Sequence, residues 1–99
     1  DPQGWTPLSI AAARGHAAIA ALLIAGKADV GAASSTSERT ALMAAAQGGH
    51  GAVLDALLAA RADPNARDKA RVTALMLAVK NGHLGAVEAL LEAGARAGA

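Results

Sequence analysis

Ninety-nine residues make one domain at the small end, where folding buries only about 60–70% of the chain's surface. The apolar fraction is 54%, but 30 of those residues are Ala, Leu, Ile and Val together number 20, and one Trp is the only aromatic. That inventory disfavours a globule filled by bulky side chains and favours closely approaching Ala-rich helices. The absence of Cys excludes a disulfide scaffold and thiolate zinc sites, and a net charge of +1 argues neither for nor against nucleic acid. The longest strongly apolar run without charge, Ala17 to Gly26, is about half of what a bilayer crossing needs. No signal peptide is visible, which makes the intracellular, cytoplasmic side the default. The chain begins at Asp1 rather than Met, and the expectation is a piece of something longer.

Three strings recur along the chain. Gly15-His16, Gly49-His50 and Gly82-His83 are spaced 34 and then 33 residues apart. Thr6-Pro7-Leu8, Thr40-Ala41-Leu42 and Thr73-Ala74-Leu75 precede each His by ten residues, and Ala28-Asp29, Ala62-Asp63 and Ala95-Arg96 follow it by 12 to 13. One period held by independent anchors divides the chain into repeats of approximately 1–33, 34–67 and 68–99 within a single domain, 1–99.

In chain order, Thr6 is an N-cap whose hydroxyl accepts from free helical amides, and Pro7 stands where a missing N–H is harmless. A two-turn helix is predicted from Pro7 to Arg14, stopped by Gly15 in the left-handed region. A second helix runs from Ala17 to about Ala25 with Ile19, Leu22 and Leu23 on one stripe. The second unit repeats this with Thr40, Ala41 to Gly48, Gly49, and a stripe of Val53, Leu54, Leu57 and Leu58. In the third, Thr73 caps Ala74 to Asn81, Gly82 stops it, and Val87, Leu90 and Leu91 form the stripe. Linkers such as Asp63-Pro64-Asn65-Ala66-Arg67-Asp68 are turn formers too polar for a core. No such helix pair buries its stripe alone, so neighbours must stack.

Asp1-Pro-Gln-Gly-Trp-Thr-Pro-Leu-Ser-Ile-Ala-Ala-Ala-Arg-Gly-His resembles the opening of an ankyrin repeat, and Ala28-Asp29-Val30 and Asp63-Pro64-Asn65-Ala66 resemble its closing turn. The resemblance covers all 99 residues as three units and implies an all-α solenoid of antiparallel helix pairs with β-turn fingers. The sequence departs from the family pattern in places. The usual His after Thr-Pro-Leu is replaced by Ser9, Met43 and Met76. The Gly that ends the second helix is Lys27 and then Arg61, and survives only as Gly94. The hairpin Gly is kept as Gly4 but becomes Glu38 and Arg71. One extra residue between Gly31 and Ser37 lengthens the first finger between repeats.

Catalysis finds no support: no Ser sits in a strained elbow or beside a His, and the Gly residues are helix stops, not a phosphate cradle. Glu88 and Glu92, one turn apart, read as a solvated helix face. The three His residues form a column with roughly 8–10 Å between stacked helices, whereas zinc ligands must share one ion at about 2 Å. Each His is expected to serve the turn in its own unit, satisfying free amides at the start of the second helix. No cofactor or metal is implied.

What remains is binding. The resemblance implies contacts through fingers and first helices, which points to Gln3, Trp5, Arg14, Arg39, Gln47, Lys69, Lys80 and Asn81. First helices carry Arg14 and Lys80 without acids, and second helices carry Asp55, Glu88 and Glu92 without bases. The molecule is either polarised, basic inside and acidic behind, or carries ordinary solubilising charge. Trp5 is either an anchor for a partner or packed on a preceding repeat. With no stacking aromatic apart from Trp5 and no dense basic run, nucleic acid is disfavoured, and the Ser34-Ser35-Thr36-Ser37 cluster reads as a solvated loop. The expected function is a non-catalytic protein-binding module with a partner protein, possibly acidic. The alternative is an intramolecular regulatory or scaffold domain of a larger enzyme or channel. Ile19, Leu22 and Leu23 at one end and Val87, Leu90 and Leu91 at the other lack polar replacements, so flanking repeats of the same chain are expected.

Overall fold

Threonine hydroxyls begin the helices where the repeats place them. In the computed structural model, which describes residues 5–95, Thr6, Thr40 and Thr73 are extended and accept from the amides of Ser9, Met43 and Met76. These caps open α1 (Pro7–Arg14), α3 (Ala41–Gly48) and α5 (Ala74–Lys80); the partners α2 (Ala17–Ala25), α4 (Gly51–Ala59) and α6 (Leu84–Glu92) follow. α5 stops one residue short of its expected end, because Asn81 leaves the helix and donates its side-chain amide to the carbonyl of Leu77. Gly15, Gly49 and Gly82 turn the chain back within each unit at φ of 70–71°.

The helices form two layers. α3 packs between α1 and α5, and α4 between α2 and α6, while each unit's two helices pack on one another. Residues 41 to 46 of α3 are consecutively buried because a neighbour lies on either side and α4 covers the third face. Four of them are Ala, residues 41, 44, 45 and 46, small enough to let backbones approach. The larger fillers are Leu8, Leu42, Met43, Val53, Leu54, Leu57 and Leu90, each worth about 1.5–3 kcal/mol when fully buried. The expected stripes of the two end units are the exception: Ile19 and Leu22 of α2 and Leu91 of α6 are exposed, since nothing among the described residues stacks on those sides.

Four residues occupy the left-handed region without being glycine: Lys27 (φ 73°), Glu38 (60°), Arg61 (69°) and Arg71 (66°). They are the four positions where the sequence departs from glycine at a helix end or a hairpin. Behind Arg61, the amide of Ala62 reaches the carbonyl of Leu57 and that of Arg61 the carbonyl of Leu58, which closes the helix as glycine would. No strand forms among the described residues; Ala33 and Thr40 make a single antiparallel bridge at the base of the first finger.

Candidate protein-binding surface

The fingers are held by their own polar side chains. Asp68 is buried, and its Oδ1 accepts from the amides of Ala70 and Val72 while Oδ2 accepts from Arg39 Nε at 3.2 Å. Burial pushes the carboxyl up, but the amide of Val72, the guanidinium of Arg39 and the amide of Ala70 outweigh it and hold it below the ordinary carboxylate value. Ser34 takes the same place in the first finger, buried, with Oγ accepting from the amide of Ser37 and bonded to the Ser37 hydroxyl at 2.8 Å. The solvated-loop expectation therefore fails for Ser34, although Ser35 and Thr36 are exposed. The two fingers are joined where Lys69 donates its amide to the carbonyl of Ser37.

Arg39 ties this finger network to the first-helix layer. Its Nη1 donates to Gln47 Oε1 at 2.6 Å while Nε holds Asp68, so it is a structural tie between two units and not a free cation. Gln47 is exposed in the last turn of α3, with its carboxamide oxygen occupied and its NH2 left to donate. Arg14 ends α1 and Lys80 ends α5; both are exposed, as is Lys69 in the second finger, and none forms an ion pair among the described residues. Asn81 is exposed beside Lys80. Trp5 is half-buried directly before the Thr6 cap. Gln3 lies outside the described residues. On the opposite layer, Asp55 of α4 and Glu88 and Glu92 of α6 are exposed.

Two of the three histidines, His50 and His83, act between units, contrary to expectation. None of them caps its own second helix through its side chain. His50 Nε2 lies 3.1 Å from the carbonyl oxygen of Ala13, and His83 Nε2 lies 3.1 Å from that of Gln47. A carbonyl only accepts, so Nε2 carries the proton and donates to the last turn of the preceding unit's first helix, where carbonyls lack helical partners. The ring lies against the glycine of the preceding unit: a Cβ on Gly15 would meet the His50 ring at 2.5 Å, and one on Gly49 the His83 ring at 2.6 Å. Gly-His is thus a single joint, glycine in one unit and histidine in the next. The even spacing of Gly-His is the signal for this joint, with the glycine and the histidine acting across two neighbouring units rather than within one. Among the described residues no group of three His, Asp or Glu is placed to hold a metal ion, and no helix is long and apolar enough to cross a membrane.

The arrangement offers exposed cations and side-chain amides on the first-helix layer. The chain matches the family profile of ankyrin repeats (3 copies) over residues 1–68 and 27–99. No curated protein shows significant sequence similarity to it. Ankyrin repeats are in general non-enzymatic protein–protein interaction modules. With the profile spanning every residue, and three capped helix pairs stacked in two layers, the chain belongs to the ankyrin-repeat family.

Proposed function

We propose that the chain binds an acidic segment of another protein along α1, α3, α5 and the finger tips. The observation that carries this reading is the one-signed first-helix layer: Arg14 and Lys80 stand exposed at either end, while the exposed acids of the helices, Asp55, Glu88 and Glu92, lie on the other layer; the fingers carry both signs, with Lys69 and Arg71 exposed against Glu38. Between the cations, Gln47 and Asn81 supply donors for a peptide backbone. Arg39 contributes by fixing the position of Gln47 rather than by meeting the partner directly. Trp5, half-buried at the edge, adds an apolar contact of the kind that supplies affinity while charges set encounter and selectivity.

The test is a set of acidic and basic peptides titrated into isotope-labelled protein. Acidic peptides are expected to shift the amides of Arg14, Gln47, Lys69, Lys80 and Asn81. Shifts confined to Asp55, Glu88 and Glu92, or a preference for basic peptides, overturn the assignment. The apolar ends of the stack favour the related reading that repeats of the same chain flank this one, with the surface serving a larger scaffold or regulatory domain.

A further inference from the structure

The two ends of the stack are built as halves of the joints inside it. Position by position, Ile19 is 50% exposed where its counterparts Val53 and Ala86 are buried, and Ile10 is exposed where Ala44 and Leu77 are buried. That is the face each unit turns toward its predecessor. At the other end Val79 is 61% exposed where Ala12 and Ala46 are fully buried, and Met76 is exposed where Ser9 and Met43 are buried. Leu22 and Leu91 follow the same division, since their counterparts are half-buried. Only Leu84, whose counterpart Gly51 is exposed, belongs to neither end by this criterion.

The polar half of the joint is also duplicated. His16 makes no side-chain hydrogen bond among the described residues, while its counterparts His50 and His83 each hold a carbonyl. Gly82 has the same φ as Gly15, 71°, yet a Cβ there would meet nothing within 4 Å, whereas at Gly15 it strikes the next unit's imidazole. The carbonyl equivalent to those of Ala13 and Gln47 is that of Lys80, which accepts no side-chain hydrogen bond among the described residues. One end therefore presents an imidazole, and the other presents the bare glycine and carbonyl that receive one.

We propose that, wherever no flanking unit covers them, these faces join head to tail with a second copy of the chain, His16 of one copy lying on Gly82 and donating to Lys80's carbonyl in the next. The contact is heterologous, so it leaves a free face at each end and extends into open assemblies rather than closing as a dimer. The end faces carry larger side chains than the interior ones, Val79 for Ala and Ile19 for Val or Ala. They widen the seam but place more apolar surface in it, which offsets part of the association entropy that a covalent joint avoids.

Sedimentation across a concentration series tests this. The 99-residue protein is expected to grow in mass beyond the 9.6 kDa monomer as concentration rises. Ile19→Glu disables one face and Val79→Glu the other, so each variant alone stays monomeric, and the two mixed form a 1:1 complex that grows no further. His16→Ala weakens association about fivefold, the effect of one net hydrogen bond. Both glutamates enter exposed positions; if thermal unfolding shows either variant misfolded, Leu22→Glu replaces Ile19→Glu at one end and Leu91→Glu replaces Val79→Glu at the other. A protein that stays monomeric to its solubility limit overturns the proposal. So does a single-face variant that still dimerises, because that contact is face to like face.

Discussion

Asp68 concentrates three hydrogen bonds on one buried carboxylate, and its removal should be felt in both elements it joins. Asp68→Asn is expected to destabilise the neutral protein by about 2 kcal/mol, as a charged acceptor facing Arg39 and two amides is replaced by a neutral one. Because its folded-state pKa lies below the ordinary value of 3.8, the carboxylate stabilises the fold above that value, and the contribution is lost as pH falls through the lower folded pKa. Urea unfolding of both proteins should therefore show the gap closing in acid, whereas a constant gap would mean that packing rather than ionisation is at stake. The left-handed residues make an opposite prediction. Lys27 and Arg61 are exposed, and each left-handed non-glycine costs about 1–2 kcal/mol. Lys27→Gly and Arg61→Gly should each raise stability by about 1 kcal/mol after the entropy that glycine adds to the unfolded chain. A loss at either site would reveal contacts of the long side chain that outweigh the backbone strain.

Helices and their ends were legible because each has a local cause. Threonine caps, one proline and the left-handed glycines mark boundaries within a few residues of themselves, and departures such as Lys27 and Arg61 still adopt the backbone that the period demands. The roles of His50 and His83 were not legible in that way, since their partners lie 37 and 36 residues earlier, in another unit. What repetition conceals is direction: a motif recurring once per unit can act within the unit or across to the next. A pair of substitutions separates the two. Gly15→Ala and Gly82→Ala carry the same φ penalty, but only at Gly15 does the new methyl meet an imidazole. Gly15→Ala should lower stability by at least about 1 kcal/mol more than Gly82→Ala, adding the lost His50–Ala13 bond to the clash. Equal losses, measured in dilute solution by denaturant unfolding, would remove the histidine joint from the forces that hold the stack.

At the scale of the molecule, the stack turns a weak local pattern into two surfaces of different character. Arg14 and Lys80 are 66 positions apart in sequence, and the layer α1–α3–α5 brings them to one side. The sequence pointed to that side through the alternation of helices. It could not separate Arg39, engaged with Asp68 and Gln47, from cations left open to a partner, because ion pairing depends on where the second finger folds. The central claim is that this layer is the working surface, and its most direct test is the association rate with an acidic partner over a range of salt. Exposed charges act mainly on encounter and are screened over about 8 Å at physiological ionic strength. Reversing Arg14 and Lys80 to Glu should slow association at least about tenfold at low salt and flatten or invert its salt dependence. Reversing Glu88 and Glu92 to Lys should leave the inner-layer contact in place and change the rate far less. A protein that keeps its binding after the first pair of reversals and loses it after the second has its working surface on α2, α4 and α6, and would contradict the account.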